Sequence, residues 1–486
     1  MVFPIVGGDG KPTGYEISNS ARFDQASSAY LTRTPSSAGN RKTWTWSGWV
    51  KNCFATGETT LIRSWADDNN FNGLTIDTNG QLSYISRTSG SNDFYLNTTP
   101  LFKDPSAWYH FVVASDTTQG TASNRVKFYV NGTQITTFDS DTYPDQEFQG
   151  RINNDTVQSI NRAQETGGSG TKYGHCYMAD VNFLDGLAYD PTYFGETNDN
   201  GVWIPKEYSG SYGTNGFFLE FQQTGTSANS SGIGADTSGN DHHFTVGNMT
   251  AIDITTDTPT NNFATMDPNT AGSAQPVLRE GNTEQHSHGT ANSAAVASTI
   301  MPDAGKWYVE LKLSSPSSGD YPFFGITDNI NLSQQDGSGV GDNGSKMAAG
   351  FEIDGQVNNQ STTLLGTITN TNTGWPSFSD NDIVQFALDL DNRKLWIGRN
   401  GTYINSGDPA GGSNQQLSWT LSTQVSVCML GYDGSGGGGA GSLWNFGNPA
   451  FSISSSNADA NGHGNFEYAV PSGYFALCSK NLAEIS

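Results

Sequence analysis

Short runs of alternating apolar and polar residues recur along the chain, and each run ends at turn-forming residues. Residues 44–50 alternate aromatic with small side chains, and residues 73–77 and 81–85 flank the sequence Thr78-Asn79-Gly80. Alternation with a period of two predicts half-buried strands, and Asn-Gly between two such runs is a strong hairpin signal. No helix of ordinary length is needed anywhere. The pattern therefore predicts antiparallel strands joined by tight turns.

The same pattern returns in the second half of the chain. Residues 306–313 and 383–388 alternate, and residues 394–397 lead into a turn at Asn400-Gly401. A chain of 486 residues is too long for one ordinary core, so we expect more than one domain. The fold class predicted is all-β, with two tandem antiparallel β-sandwiches.

Domain boundaries follow from shifts in composition. Residues 225–265 are rich in Thr, Ser, Asn and Gly, which is typical of a linker. We therefore expect an N-terminal arm over 1–15, a first sandwich over 16–224, the linker over 225–265 and a second sandwich over 266–486. The arm has two interpretations, a frayed terminus or an anchor to a neighbouring subunit.

The net charge of the chain limits the classes of partner that it can bind. The formal net charge is −24, with only 23 Lys and Arg residues, so a phosphate backbone or an anionic membrane would be repelled. We expect no nucleic acid among the partners and no membrane insertion, since no stretch is apolar enough to span a bilayer and no signal peptide is visible. A weakly charged acidic surface suits neutral polar ligands such as sugars.

The cysteines are expected to be buried free thiols. Cys53, Cys176, Cys428 and Cys478 lie far apart in the sequence. No C-x-x-C pair is present, which argues against a zinc ribbon or a thioredoxin-like redox site.

Three motifs of the first sandwich carry a family resemblance. Trp46-x-x-Trp49-Val50-Lys51, Trp108-Tyr109-His110 and Phe128-Tyr129-Val130-Asn131-Gly132 occur in this order. Together with the segment 177–186 they resemble the laminin-G/pentraxin-like branch of the concanavalin A-like lectins. The resemblance covers most of residues 16–224 and implies a concanavalin-like sandwich, often one that binds Ca²⁺.

The second sandwich is similar to SPRY/B30.2 domains, which share the concanavalin-like architecture. The match rests on residues 305–310, 389–396, 400–403 and 444–447. The whole concatenation resembles structural proteins of marine tailed phages, particularly cyanophages, through segments such as 201–205, 257–263 and 476–482. That resemblance implies a place on the virion surface, as a tail fibre, knob or capsid protein released by lysis.

Few residues are candidates for catalysis or metal binding. Glycoside hydrolases of this fold class use paired carboxylates, and the nearest patterns here are Glu352 with Asp354 and Asp389 with Asp391. We interpret the second pair as residues flanking a turn, and we predict no catalytic residues and no enzyme activity. No metal site or cofactor is predicted. The Asp- and Gly-rich loop 336–342 offers oxygen ligands, so Ca²⁺ binding there stays an open alternative. His286 and His288 could share a metal ion in a trimer, but we favour their interpretation as part of a solvated polar loop.

Aromatic residues in loops are the candidate sugar contacts, because a ring stacks on the C–H face of a pyranose. The predicted carbohydrate-binding residues are Trp65, Tyr95, Tyr143, Tyr212 and Tyr432. Packing is the competing role for each of them. Trp44, Trp46 and Trp49 are expected in the core of the first sandwich.

Two functions compete. The first is a fibre- or knob-like adhesin that contacts host surface polysaccharide, and the second is a non-catalytic decoration protein that binds only other virion proteins. A third function, an envelope-degrading depolymerase, is disfavoured because the sequence lacks the carboxylate pair that such an enzyme needs. The sequence leaves open the virion substructure, the glycan, Ca²⁺ binding and the oligomeric state, for which a homotrimer is the expectation from fibres.

Overall fold

The chain forms two compact units, the first ending at Thr260 and the second beginning at Asn261. Both consist of strands that pair almost entirely antiparallel, so the predicted all-β class is confirmed. A single α-helix, Ser479–Ile485, lies within the described part of the chain, and no described helix is long and apolar enough to cross a membrane. The computed structural model describes residues 14–54, 57–165, 171–270, 277–286, 295–314, 323–328, 349–352, 357–359, 365–370, 376–430 and 441–485.

Twenty strands build the first unit. In chain order they are β1 Ser20–Phe23, β2 Tyr30–Arg33, β3 Thr43–Asn52, β4 Thr59–Asp67, β5 Asn70–Ile76, β6 Gln81–Thr88, β7 Ser91–Leu101, β8 Trp108–Asp116, β9 Val126–Val130, β10 Thr133–Ile135, β11 Phe138–Thr142, β12 Gln158–Ile160, β13 Arg162–Ala163, β14 Lys172–Tyr173, β15 Cys176–Asp185, β16 Gly195–Thr197, β17 Trp203–Pro205, β18 Phe217–Leu219, β19 Thr245–Gly247 and β20 Ile254–Thr255.

Two sheets of eight strands make the sandwich of the first unit. Sheet 1 has the order β10-β9-β8-β3-β15-β1-β20, with β18 paired to β15, and sheet 2 has the order β11-β7-β6-β5-β4-β12-β2-β19. Apolar side chains at alternate positions of both sheets meet in one core, among them Trp44 and Trp46 of sheet 1 and Leu74 and Leu96 of sheet 2. The period-two pattern of the sequence thus becomes the two inner faces.

Strand β3 is buried on both faces, whereas the sequence predicts a half-buried strand. Trp44 and Trp46 point into the core, but Trp49 has the opposite parity and lies on the outer face of sheet 1. There it packs against Ile17 and stacks on the His110 ring, with ring centroids 4.8 Å apart. The expectation that Trp49 lies in the sandwich core was therefore wrong, because it points outward from β3 and is buried there under other segments of the chain.

Residues 225–260 belong to the first unit, although the composition predicts a linker over 225–265. Strand β19 pairs with β2, and β20 pairs with β1. Phe244 and Met249 are buried in the core of the sandwich. These two residues flank β19 on either side, so few apolar residues are enough to hold the segment on the sandwich. The remaining linker residues, 261–265, begin the second unit, where Phe263 is buried.

The described residues of the second unit form fifteen strands in two sheets, which enclose a core that includes Trp307, Phe324 and Trp444. Sheet 3 has the order β21-β22-β34-β24-β29-β30-β32-β28, and sheet 4 has the order β23-β33-β25-β26-β27. The strands are β21 Val277–Arg279, β22 Glu284–His286, β23 Ala295–Ala297, β24 Lys306–Ser314, β25 Phe323–Thr327, β26 Ala349–Glu352, β27 Val357–Asn359, β28 Ile368–Asn370, β29 Ile383–Asp389, β30 Lys394–Arg399, β31 Thr402–Tyr403, β32 Leu417–Trp419, β33 Ser426–Leu430, β34 Gly441–Asn445 and β35 Phe475–Ala476.

The predicted hairpins are present. Asn131 and Gly132 connect β9 to β10 with φ values of 45° and 78°, and Asn400 and Gly401 connect β30 to β31 with 48° and 85°. Positive φ at both central residues is the requirement of a type I′ turn, which Asn-Gly meets at little cost. The four cysteines are buried and free, as expected.

Candidate functional site

The outer face of sheet 2 carries a group of aromatic and arginine side chains outside the core. One row across the sheet pairs Arg63 with Gly73, Gly73 with Ile85, and Ile85 with Tyr95. The neighbouring row pairs Trp65 with Phe71 and Phe71 with Arg87. We call this group the aromatic face, and its side chains are Arg63, Trp65, Phe71, Ile85, Arg87 and Tyr95.

A bulge in β4 orients Arg63 and Trp65 outward. The register between β4 and β5 shifts between Thr60 and Ile62, so that Leu61 and Ile62 both enter the core. The extra residue resets the alternation, which leaves Arg63 and Trp65 on the opposite side of the sheet. Trp65, like its neighbours on the face except Arg63, is half-buried.

The Arg63 side chain is fixed across the face. Its guanidinium carbon lies 4.1 Å from the centre of the Phe71 ring, and Nη1 lies 4.0 Å from a carboxylate oxygen of Glu58. Gly73 opposite Arg63 has no side chain, so the aliphatic part of Arg63 packs over its backbone. Arginine stacked on a ring in this way is held in one orientation.

Two buried donors on this face have no hydrogen-bond partner within the described residues. They are Nε1 of Trp65 and Nε of Arg63. Buried polar atoms are nearly always satisfied in folded proteins, so these two donors are exceptions. Half-buried rings beside directed N–H donors are the combination that binds a sugar, since rings contact the C–H groups and donors contact hydroxyl oxygens.

The structure brings together two of the five predicted sugar contacts. Trp65 and Tyr95 lie on the aromatic face, on strands β4 and β7. Tyr143 instead packs on the core beside Phe138, with ring centroids 6.3 Å apart. Tyr432 lies outside the described residues.

Tyr212 is nearly buried on the other side of the sandwich. It is 9% exposed, and its hydroxyl donates to Oδ1 of Asn182 at 2.8 Å. It therefore serves packing rather than direct contact. Arg63, Phe71 and Arg87 were missed by the sequence analysis, which considered loops only. Their alternate positions on β4, β5 and β6 could have placed them beside Trp65 once the bulge was known.

A serine–histidine pair on the outer face of sheet 1 is structural. Trp203 Nε1 donates to Nδ1 of His110 at 3.0 Å, so the ring proton resides on Nε2 and points to Ser47 Oγ at 2.9 Å. Burial lowers the pKa of His110 to about 3. A histidine that donates to the serine oxygen cannot remove its proton, so the pair is unsuited to nucleophilic catalysis.

The carboxylates considered for hydrolysis do not form a facing pair within the described residues. Asp389 is buried, contacts Lys306 at 3.1 Å and accepts hydrogen bonds from Asn392. Asp391 accepts from the backbone N–H of Gly305 at 2.8 Å. These contacts agree with their interpretation as turn-flanking residues.

The other candidate groups are only partly described. The Glu352 side chain, Asp354, loop 336–342 and His288 lie outside the described residues. His286 contacts Glu284, with Nε2 2.6 Å from Oε1. Among described residues there is no cluster of three His, Cys, Asp or Glu side chains suited to a metal ion.

A family profile matches the first unit. Residues 24–182 match the Concanavalin A-like lectin/glucanases superfamily. This segment is about a third of the chain and contains β2 to β14, including the whole aromatic face. The first unit therefore contains a concanavalin-like lectin domain. No curated protein sequence matches the chain.

Solved structures give a weaker likeness. A Bacteroides ovatus protein named for carbohydrate binding shares 15% identity over 48% of this chain and 58% of its own, with a TM-score of 0.30. The SPRY domain of human HERC1 shares 14% identity over 37% of this chain and 96% of its own, with a TM-score of 0.24. Domains LG4-5 of the mouse laminin alpha1 chain share 10% identity over 87% and 85%, with a TM-score of 0.26. The match thus spans little more than half of the Bacteroides protein.

Proposed function

We propose that this chain is a non-catalytic glycan-binding protein and that the aromatic face of the first unit is its sugar-binding surface. The observation that carries the proposal is the placement of Trp65, Phe71 and Tyr95 as half-buried rings on one outer sheet face. Rings with no place in the core and with N–H donors beside them are suited to pyranose stacking. The lectin-type fold of residues 24–182 supports the same ligand class.

Charge favours a neutral glycan. The chain carries a net charge of −24, which repels polyanions at a distance. On the aromatic face, Arg63 is offset by Glu58. A neutral sugar is insensitive to the overall field, because its contacts are stacking and hydrogen bonds.

Binding of the full chain to a printed array of neutral oligosaccharides tests the proposal. We expect Trp65→Ala and Tyr95→Ala each to weaken binding by roughly threefold to tenfold, as expected for loss of one stacking ring. Leu101→Ala is the matched control, since Leu101 is 55% exposed on the same sheet but at the end of β7. Equal binding by all three variants would contradict the proposed surface.

We further propose that the protein acts on the surface of a tailed-phage virion, as an adhesin for host polysaccharide. Support comes from the resemblance of segments 201–205, 257–263 and 476–482 to marine phage structural proteins. Immunogold labelling of intact particles with an antibody against the full chain tests the location. Label at a tail tip agrees with the adhesin, and label over the capsid together with an array that shows no binding would favour the decoration protein instead.

A further inference from the structure

A cluster of tyrosines covers part of the outer face of sheet 1, on the side of the first unit opposite the aromatic face. We call it the tyrosine cluster, and its members are Tyr189, Tyr193, Tyr208 and Tyr212. It rests on Val112 and Leu184, two outward-facing apolar residues of β8 and β15. Tyr212 forms the buried base, whereas Tyr189 and Tyr208 are half-buried and Tyr193 is 43% exposed.

The outermost pair of rings is stacked almost in parallel. The centroids of Tyr189 and Tyr193 are 3.9 Å apart and their planes differ by 5°. Tyr208 continues the cluster inward, 6.4 Å from Tyr189 and 5.1 Å from Tyr212. One face of the Tyr193 ring is therefore covered by Tyr189, and the other face is turned outward.

Hydrogen bonds fix the segment that presents these rings. Asp190 caps the short 3₁₀ turn Pro191–Tyr193 by accepting from the backbone N–H of Thr192 at 2.9 Å. Lys206 Nζ donates to the carbonyl of Thr192 at 3.1 Å. The backbone N–H of Tyr189 donates to Thr45 Oγ1, on the central strand β3, at 2.9 Å. An exposed ring held this firmly costs a ligand little ordering entropy.

We infer that Tyr193 and Tyr189 form a second glycan-binding site that stacks one hexopyranose ring of a neutral sugar on the outward face of Tyr193. Asp190 and Thr192, both exposed beside it, supply polar groups for sugar hydroxyls. The exposed ring surface suits one sugar ring. It is far smaller than the roughly 800 Å² per partner that a specific protein interface buries.

This inference rests on the proposed glycan-binding function and adds a second contact. Because sheets 1 and 2 form opposite sides of one sandwich, the two sites face away from each other. A single first unit then contacts two glycan chains, or two distant parts of one, which raises avidity without strengthening either contact.

Fluorine NMR of the full chain labelled with 3-fluorotyrosine tests the second site directly. The Tyr193 resonance is assigned by its loss in Tyr193→Phe, and maltose, cellobiose and lactose are titrated separately as probes. We expect a saturable shift of this resonance with at least one disaccharide. Tyr189→Ala, which removes the backing ring, should weaken that binding by roughly threefold to tenfold. Leu101→Ala, in sheet 2 and outside both proposed sites, is the control and should leave the response unchanged.

The Trp65 resonance of 5-fluorotryptophan-labelled protein separates the two proposals. A response at Trp65 without any at Tyr193 would overturn the second site and leave the proposed function intact. A response at Tyr193 alone would support the second site and contradict the aromatic face. If neither resonance responds to any of the three sugars, both proposals are contradicted. A Tyr193 response that is undiminished in Tyr189→Ala would overturn the stacked-pair geometry.

Discussion

Asp180 combines a carboxyl group, burial and a strained backbone. Its φ is 50°, in the left-handed region, and it occupies the bulge where the register between β15 and β3 shifts. Tyr15 donates to its Oδ1 at 3.1 Å. The pKa of Asp180 is raised to about 7, chiefly by burial; the Tyr15 hydrogen bond lowers it, and the carboxylates of Glu220 and Glu207 contribute to the rise.

This raised pKa predicts a pH-dependent stability of the first unit. The folded state holds the Asp180 proton more tightly than the unfolded chain, where the pKa is about 4. Its contribution is therefore fully present below about pH 4 and is lost as the pH rises toward 7, by roughly 4 kcal/mol in total. The variant Asp180→Asn carries a neutral side chain that tolerates a left-handed φ. This variant should lose the pH-dependent component of stability.

Chemical denaturation at several pH values between 5 and 8 measures the effect. Wild type should lose stability relative to Asp180→Asn as the pH rises. Parallel profiles for the two proteins would show that Asp180 does not titrate in this range.

At the level of elements, turns set by neighbouring residues could be predicted from the sequence, whereas pairings between distant strands could not. The turn at Asn131-Gly132 follows from two residues whose backbone preference is local. Trp49 has the opposite parity to Trp46, but its burial on the outer face depends on segments distant in the sequence that cover sheet 1. Similarly, β19 and β20 pair with strands more than 200 positions earlier, and their composition resembles a linker.

The candidate site shows the same division. Trp65 and Tyr95 could be chosen as aromatic residues outside the strongest strand patterns. The outward direction of Trp65 and Arg63 could not be predicted, because a single-residue bulge at Leu61 decides which face of β4 they occupy. That Phe71 and Arg87 lie beside them depends on the strand pairing. Tyr212 was predicted as a sugar contact in a loop, but it is nearly buried. Its more exposed neighbours Tyr189 and Tyr193 are recognisable only in three dimensions.

A buried ion pair links residues 254–260, the tail segment of the first unit, to sheet 1. Lys51 Nζ lies 2.9 Å from Asp257 Oδ2, both side chains are fully buried, and Trp108 Nε1 donates to the other carboxylate oxygen at 3.1 Å. Removing one partner leaves a buried charge without its counter-ion. Lys51→Met and Asp257→Leu should each destabilise the protein by about 3–5 kcal/mol, and the double variant by much less than the sum.

Urea denaturation of the single and double variants measures the coupling. Lys42→Met is the matched control, because Lys42 and Glu147 form a pair whose side chains are 33% and 54% exposed. That variant should lose at most about 1 kcal/mol. If Lys51→Met were as mild as Lys42→Met, the tail segment would not depend on this pair.

At the scale of the whole molecule, the chain joins two β-sandwich units, each with its own core. The aromatic face and the tyrosine cluster both lie in the first unit, on opposite sides of its sandwich. The buried histidine and carboxylates described above are engaged in structural contacts. The rings of these two surfaces can supply stacking contacts, which suit the proposed recognition of sugars.

A crystal structure of the full chain with the neutral oligosaccharide that binds it most tightly on the array tests the central claim most directly. We predict a pyranose ring in contact with the Trp65 side chain and a sugar oxygen within hydrogen-bond distance of Trp65 Nε1 or Arg63. Sugar density elsewhere in the protein, with the outer face of sheet 2 unchanged, would contradict the assignment of the aromatic face.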